Sequence, residues 1–104
     1  MALISLEEAK TYLRVDADDE DALIGVLLSS AEKLCADVAR LSEEQWSEVN
    51  GTYDSEQLTS LRAVLRVAIL YALGYLYEHR EQADHHSLTL TLRNLLFSVR
   101  EGIL

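Results

Sequence analysis

Acidic side chains near the amino terminus form the densest group of potential metal ligands in the chain. Five carboxylates lie within six positions, and these are Asp16, Asp18, Asp19, Glu20 and Asp21. Calcium loops of the EF-hand type require glycine at the sixth position and a bidentate glutamate at the twelfth. Counted from Asp16, those positions hold Asp21 and Leu27. The group therefore fits the acidic first turn of a helix better than a calcium site.

The remaining residues with reactive side chains do not form a recognisable active site. His79, His85 and His86 have neither a nearby cysteine nor the helical spacing that would favour zinc. Cys35 lies in an apolar pattern, which predicts a core position, and without a second cysteine the chain fits a reducing cytosol. The sequence has no glycine-rich phosphate loop and no carboxylate pair within an apolar segment. We predict no enzyme activity, metal or cofactor.

Two helices are predicted in the first 41 residues. Ser5 and Glu8 have the spacing of a capping box, so a short helix begins there. A second helix begins at Asp18 or Asp19 and carries one apolar stripe, formed by Leu23, Val26, Leu27, Ala31, Leu34, Val38 and Leu41. Residues 42–55 contain the turn signal Asn50-Gly51 and predict a loop with room for one helical turn.

A long apolar helix is predicted from Glu56 to about Gln82. One face has helical periodicity and should form the core, through Leu61, Val64, Leu65, Ala68, Ile69, Ala72, Leu73 and Leu76. The opposite face is also largely apolar, because only Arg62 and Arg66 make it polar. This second face fits burial either by other helices of the same subunit or by a neighbouring copy.

The rest of the chain completes an all-α prediction. The uncharged run from Val67 to Tyr77 is shorter than the roughly 20 residues that cross a bilayer, so we predict no membrane span. Residues 83–86 predict a linker, and leucine spacing predicts a final helix from about Thr89 to Val99. The expected fold is a single domain over residues 1–104, a small bundle of four to five helices around one long central helix.

Charge is distributed unevenly along the chain. Residues 1–60 contain 14 acidic and 4 basic residues, whereas residues 61–104 contain 4 acidic and 5 basic residues. A net charge of −9 without a cluster of lysine or arginine argues against sequence-specific DNA binding. Non-specific passage of DNA along the protein remains compatible with this charge.

Short motifs in a fixed order resemble the head–tail connector family of tailed phages. The opening, SLEEAKTYLRVD followed by DDEDALI, resembles the start of that family. The segment from Ala68 to Glu81 resembles its long apolar helix, which ends in a tyrosine, acid and arginine pattern. Leu95-Leu96 and Arg100 resemble its closing leucine pair and arginine. The resemblance covers most of the chain.

The resemblance implies a structural protein of the virion. Such subunits would form a ring of about a dozen copies that docks on the portal and extends the DNA channel during head completion and tail joining. The implied partners are the portal protein, a tail-side connector or stopper, and DNA that passes non-specifically, with no membrane. The implied location is the head–tail junction, after assembly in the bacterial host cytoplasm.

Three groups of residues are candidates for these contacts. Tyr71, Tyr75 and Tyr77 are predicted at the subunit interface, since tyrosine gives a large contact area with a polar tip, although they could equally cover the subunit's own core. Portal docking is predicted for Leu92, Leu96, Phe97 and Arg100, together with residues 102–104. The channel-facing candidates are Asp16, Asp18, Asp19 and Glu20. The competing interpretation is a small acidic helical interaction or regulatory module that binds a basic protein.

Overall fold

The structure confirms the all-α prediction. A computed structural model describes residues 3–51, 54–79 and 84–100. These residues contain five helices and a final helical turn, with no strand among them. The elements are α1 (Leu6–Leu13), α2 (Asp21–Val38), α3 (Glu43–Val49), α4 (Glu56–Glu78), α5 (His85–Leu95) and α6 (Phe97–Arg100).

The core forms around α4, as its apolar stripe predicts. Its buried side chains are Leu65, Ala68, Ile69, Ala72, Leu73 and Leu76. The helix packs against α1, α2, α3 and α5, with α2 as its most extensive neighbour. The hydroxyl of Tyr77, near the end of α4, donates a 2.7 Å hydrogen bond to Glu20, which precedes α2, so the two helices run antiparallel. By length and hydropathy α4 could also cross a membrane, but its packing against four helices favours a core role.

α1 lies along α4 and is fixed at its start by polar contacts. The predicted capping box is confirmed, since the Glu8 amide donates to the Ser5 hydroxyl at 3.1 Å and the Glu8 carboxylate accepts from the Ser5 amide. Arg66 of α4 donates to the Leu3 carbonyl at 2.7 Å and pairs with the Glu8 carboxylate. The Arg66 hydrogen bond holds the pKa of Glu8 below its ordinary value. The two helices are therefore joined by a directed ion pair as well as by apolar contact.

The loop predicted over residues 42–55, with room for one helical turn, contains a helix of 7 residues in its first half. α3 occupies Glu43–Val49 and has its own capping box, in which the Gln45 amide donates to the Ser42 hydroxyl at 3.1 Å. The spacing of Ser42 and Gln45 repeats that of Ser5 and Glu8. The Asn50-Gly51 turn signal concealed this start, because it marks the end of the helix.

Arg62 attaches α3 to the first half of α4. Its Nε donates to the Val49 carbonyl at 2.9 Å, and its Nη1 lies 2.5 Å from the Asp54 carboxylate. Val49 is buried in the core. The arginine that made the second face of α4 polar in sequence therefore binds the end of α3 in the structure.

Three predicted helix ends differ from the observed ones. α2 begins at Asp21 rather than at Asp18 or Asp19, and the Asp21 amide donates to the Asp18 carbonyl at 3.2 Å in the turn that precedes the helix. α4 ends at Glu78, earlier than the predicted Gln82. α5 begins at His85 rather than near Thr89, since the Asp84 carboxylate accepts the Ser87 amide at 3.1 Å and caps the helix there.

Candidate subunit interface

A tyrosine-lined groove lies where the carboxyl ends of α1 and α4 meet. Its volume is about 800 Å³. The lining residues are Tyr12, Leu13, Arg14, Tyr71, Gly74, Tyr75, Tyr77, Glu78 and His79. All three tyrosines that the sequence predicts for the subunit interface line this groove, and the structure adds Tyr12.

Gly74 allows α1 to approach α4 at the floor of the groove. A Cβ atom at this position would lie 3.1 Å from Cε2 of Tyr12, which is tighter than an ordinary contact. The Tyr12 ring therefore packs over the glycine backbone while 48% of the residue stays exposed. Glycine lowers the stability of a helix interior, and here it makes room for the tyrosine.

Tyr75 is held by contacts within the subunit. Its hydroxyl accepts a 3.1 Å hydrogen bond from the Asp84 amide at the start of α5. Its ring stacks on the His79 imidazole, with ring centres 4.2 Å apart. The Asp84 carboxyl, which accepts the Ser87 amide, has its pKa held below the ordinary value by that bond. Tyr75 thus joins the ends of α4 and α5 and shapes one wall of the groove.

Tyr77 and Tyr71 differ in how much of each is available to a partner. Tyr77 is half-buried, and its hydroxyl donates to Glu20. Tyr71 is 42% exposed, and Val67, one turn earlier on the same face of α4, is 60% exposed. Tyr75 and Tyr77 pack partly against the subunit's own core, whereas Tyr71 and Val67 form an exposed apolar ridge beside the groove. The place of the three tyrosines in a subunit interface stays a prediction.

Arg14 supplies a positive charge at the end of the groove. It terminates α1 in the left-handed conformation, at φ 60°, and the amides of Arg14 and Val15 donate to the carbonyls of Thr11 and Lys10. This is a Schellman ending, in which glycine is usual. Among the described residues, no carboxylate lies within ion-pair distance of Arg14, whereas Lys10, Arg62 and Arg66 each have an acidic partner.

The acidic residues between α1 and α2 form an exposed connection. Asp16, Asp18 and Asp19 are exposed, and Glu20 is half-buried beside Tyr77. Lys10 lies 2.7 Å from Asp18 and 2.8 Å from Asp21, and its hydrogen bond and charge hold the pKa of Asp18 below the ordinary value. Among the described residues, no three His, Cys, Asp or Glu side chains form a cluster that could hold a metal. Whether these acids face a channel stays a prediction.

The group predicted for portal docking divides into core and surface. Leu92 and Leu96 are fully buried against the other helices, so they are core residues and have no surface to offer a partner. Their leucine spacing is the ordinary buried stripe of α5. Phe97 is 57% exposed and remains a docking candidate. The Arg100 side chain and residues 102–104 lie outside the described part of the chain.

Cys35 lies in the core, as its apolar surroundings predict. Burial, together with the nearby Glu32 charge, raises the pKa of its thiol to about 12. A thiol with such a pKa is almost entirely protonated at neutral pH and is a poor nucleophile.

The described residues form an all-α fold with an exposed aromatic groove, and comparison with protein families gives an assignment. A family model described as phage gp6-like head-tail connector protein matches residues 3–104. The chain therefore belongs to the gp6-like family of phage head–tail connectors, which are structural components of the virion. Comparisons with curated proteins and with solved structures give no match. Family membership favours the connector interpretation over the regulatory one.

Sequence reasoning missed Tyr12, Arg14 and His79 as members of the groove. Tyr12 and Arg14 are separated from Tyr71 in sequence and join it only because α1 runs parallel to α4, whereas His79 caps the carboxyl end of α4 itself. One available signal was Gly74, a lone glycine in an otherwise apolar helix, which is typical of a close approach.

Proposed function

We propose that this connector forms a ring of about a dozen copies on the portal and extends the DNA channel toward the tail. The observation that supports the ring most strongly is the apolar ridge of Val67 and Tyr71 beside the tyrosine-lined groove. Large aromatic surface with polar tips is typical of protein interfaces. A closed ring of identical subunits needs two different contact surfaces on each copy, and the ridge with the groove supplies one of them.

For portal docking, the exposed Phe97 is the best supported contact. Phe97 is the first residue of the short helix α6, which begins directly after the end of α5. The exposed fraction of the residue is 57%. A large aromatic side chain can anchor such a contact by filling a pocket on the partner. The partners in this proposal are the portal protein on one side and a tail-side connector or stopper on the other.

The charge of the chain fits a channel through which DNA slides. Asp16 and Asp19 are exposed on the connection before α2, and the chain as a whole carries a net charge of −9. Carboxylates repel the phosphates of DNA, so an acidic lumen would reduce adhesion during passage. In this proposal assembly takes place in the host cytoplasm, before the tail joins.

The role can be tested in the phage or prophage that encodes the chain. A nonsense mutation in its gene should give capsids that package DNA but lose it or fail to join tails, as seen by electron microscopy. Supplying the wild-type chain from a plasmid should restore tailed particles. Infectious tailed particles made without the chain would contradict the proposed function.

A further inference from the structure

We infer that the tyrosine-lined groove binds the acidic face of α3 from the next copy of this chain, with Arg14 paired to carboxylates of that helix. The inference rests on the proposed ring and names the two surfaces that meet in it. The juxtaposition that carries it is a tyrosine-lined groove with Arg14 at its edge, at one end of the subunit, and the exposed Glu44 and Glu48 carboxylates of α3 at the other.

Arg14 is an unpaired cation in a strongly acidic protein. The chain has 18 acidic residues against 9 lysines and arginines, yet Arg14 has no carboxylate within ion-pair distance among the described residues. It lines the groove together with exposed Tyr12 and Tyr71. A guanidinium beside aromatic rings suits an acidic partner, because it can pair with a carboxylate while the rings bury apolar surface.

α3 supplies that acidic partner within the same sequence. Glu44 and Glu48 are exposed and lie one turn apart on one side of the helix, and neither carboxylate has an ion-pair partner among the described residues. α3 is anchored by the buried Val49 and by Arg62, which donates to the Glu48 and Val49 carbonyls. The carboxylates are thus presented on a helix that is fixed to the core, which limits the entropy lost when they bind.

The positions of the two surfaces suit a contact that repeats around a ring. α3 is tied to Arg62 near the start of α4, whereas the groove surrounds Gly74, about 18 Å further along the helix at 1.5 Å per residue. The two surfaces do not overlap, so each copy can use both at once, as a heterologous contact requires. An interface of standard size buries about 800 Å² on each partner. Two such interfaces would cover about a quarter of the subunit's 6640 Å² surface.

Charge reversal tests this pairing. Arg14→Glu alone, and Glu44→Lys with Glu48→Lys, should each raise the concentration needed for half-assembly by about tenfold or more, because like charges then meet in the contact. Equimolar mixing of these two variants should restore assembly, since every contact in an alternating ring regains opposite charges. The measurement is sedimentation velocity, with and without portal protein, after circular dichroism has shown that each variant is folded.

Arg40→Glu is the matched control. Arg40 is also an exposed arginine, ends α2 at φ 59°, and has no ion-pair partner among the described residues. Its reversal should leave half-assembly within about twofold of wild type, because it is outside the groove. If wild type assembles and Arg14→Glu assembles equally well, or mixing fails to restore the ring, the inference is overturned and the ring stands. If wild type stays monomeric even with portal protein, the proposed function itself fails.

Discussion

Leu92 and Phe97 show how closely core and surface adjoin at the residue scale. They lie five positions apart, yet Leu92 is fully buried and Phe97 is 57% exposed. The sequence places both in one apolar segment, and hydrophobicity alone does not separate a side chain that stabilises the fold from one that can bind a partner. Burial separates them, because only the core side chain loses its packing when it is truncated.

Truncation of Leu92 should therefore destabilise the fold, whereas truncation of Phe97 should weaken binding to the portal protein. Leu92→Ala is expected to lower the free energy of unfolding by about 2–5 kcal/mol through lost burial and a cavity, and Phe97→Ala to change it by less than about 0.5 kcal/mol. Urea denaturation followed by circular dichroism measures both values. Phe97→Ala should weaken co-sedimentation with the portal protein. Unchanged portal binding in this variant would remove Phe97 from the docking surface.

Burial of Glu32 makes the stability of the fold depend on pH, with greater stability at low pH. Burial raises its pKa above the ordinary 4.5, so ionising it costs more in the folded chain than in the unfolded chain. The protonated Glu32 carboxyl therefore contributes to the free energy of unfolding below pH 4.5, and this contribution is lost as the pH rises through the raised pKa.

Replacing this carboxyl with a neutral amide tests that sign. Glu32→Gln should unfold at a higher urea concentration than wild type at pH 7, and the difference should shrink as the pH falls towards 4.5. Glu48→Gln, at an exposed position whose carboxylate has no ion-pair partner among the described residues, controls for the loss of one negative charge. A difference that grows on acidification would contradict the burial explanation.

At the scale of elements, helix ends explain most of what the sequence could and could not predict. The Ser5 capping box and the apolar stripe of α4 are local patterns, and both were confirmed. α3 has an equally local signal in the spacing of Ser42 and Gln45. The turn dipeptide Asn50-Gly51 that follows it favoured a loop instead. The start of α5 depends on the cap that Asp84 provides. Leucine spacing predicts where the apolar face of a helix lies, and it does not include such a cap.

The Schellman endings of α1 and α2 provide a stability prediction. Arg40 adopts φ 59°, where a Cβ atom is unfavourable, and the Leu41 amide donates to the Ala36 carbonyl at 3.0 Å to complete the motif. Arg40→Gly should raise the free energy of unfolding by about 0.5–1 kcal/mol, since relief of strain exceeds the added entropy of the unfolded chain. The same urea titration measures it. A less stable glycine variant would show that the arginine side chain contributes contacts that outweigh the strain.

The candidate site was less predictable than the fold, because it belongs to the arrangement of helices. Tyr71 was found from the excess apolar surface of α4, which periodicity alone reveals. Tyr12 and Arg14 needed the parallel packing of α1 on α4, a tertiary fact with no pattern of its own apart from Gly74. Sequence therefore indicated that a second face existed, and the structure showed which side chains build it.

At the scale of the whole molecule, the acidic surface and the exposed ridge act together. A net charge of −9 keeps free subunits apart, while the groove with Arg14 offers a local site where an acidic neighbour is attracted. Since α1, α3 and α4 are joined by Arg62 and Arg66, the two proposed contact surfaces belong to one packed unit. In the proposed ring, assembly would depend on a few directed contacts rather than on non-specific hydrophobic association.

The most direct test of the central claim is native mass spectrometry of the purified chain together with its portal protein. We expect a complex whose added mass equals a closed ring of about a dozen copies, and Tyr71→Arg should reduce that species strongly. Val26→Arg, which changes an exposed valine on α2, should leave the ring intact. Only monomers or dimers, with no mass added to the portal, would contradict the account.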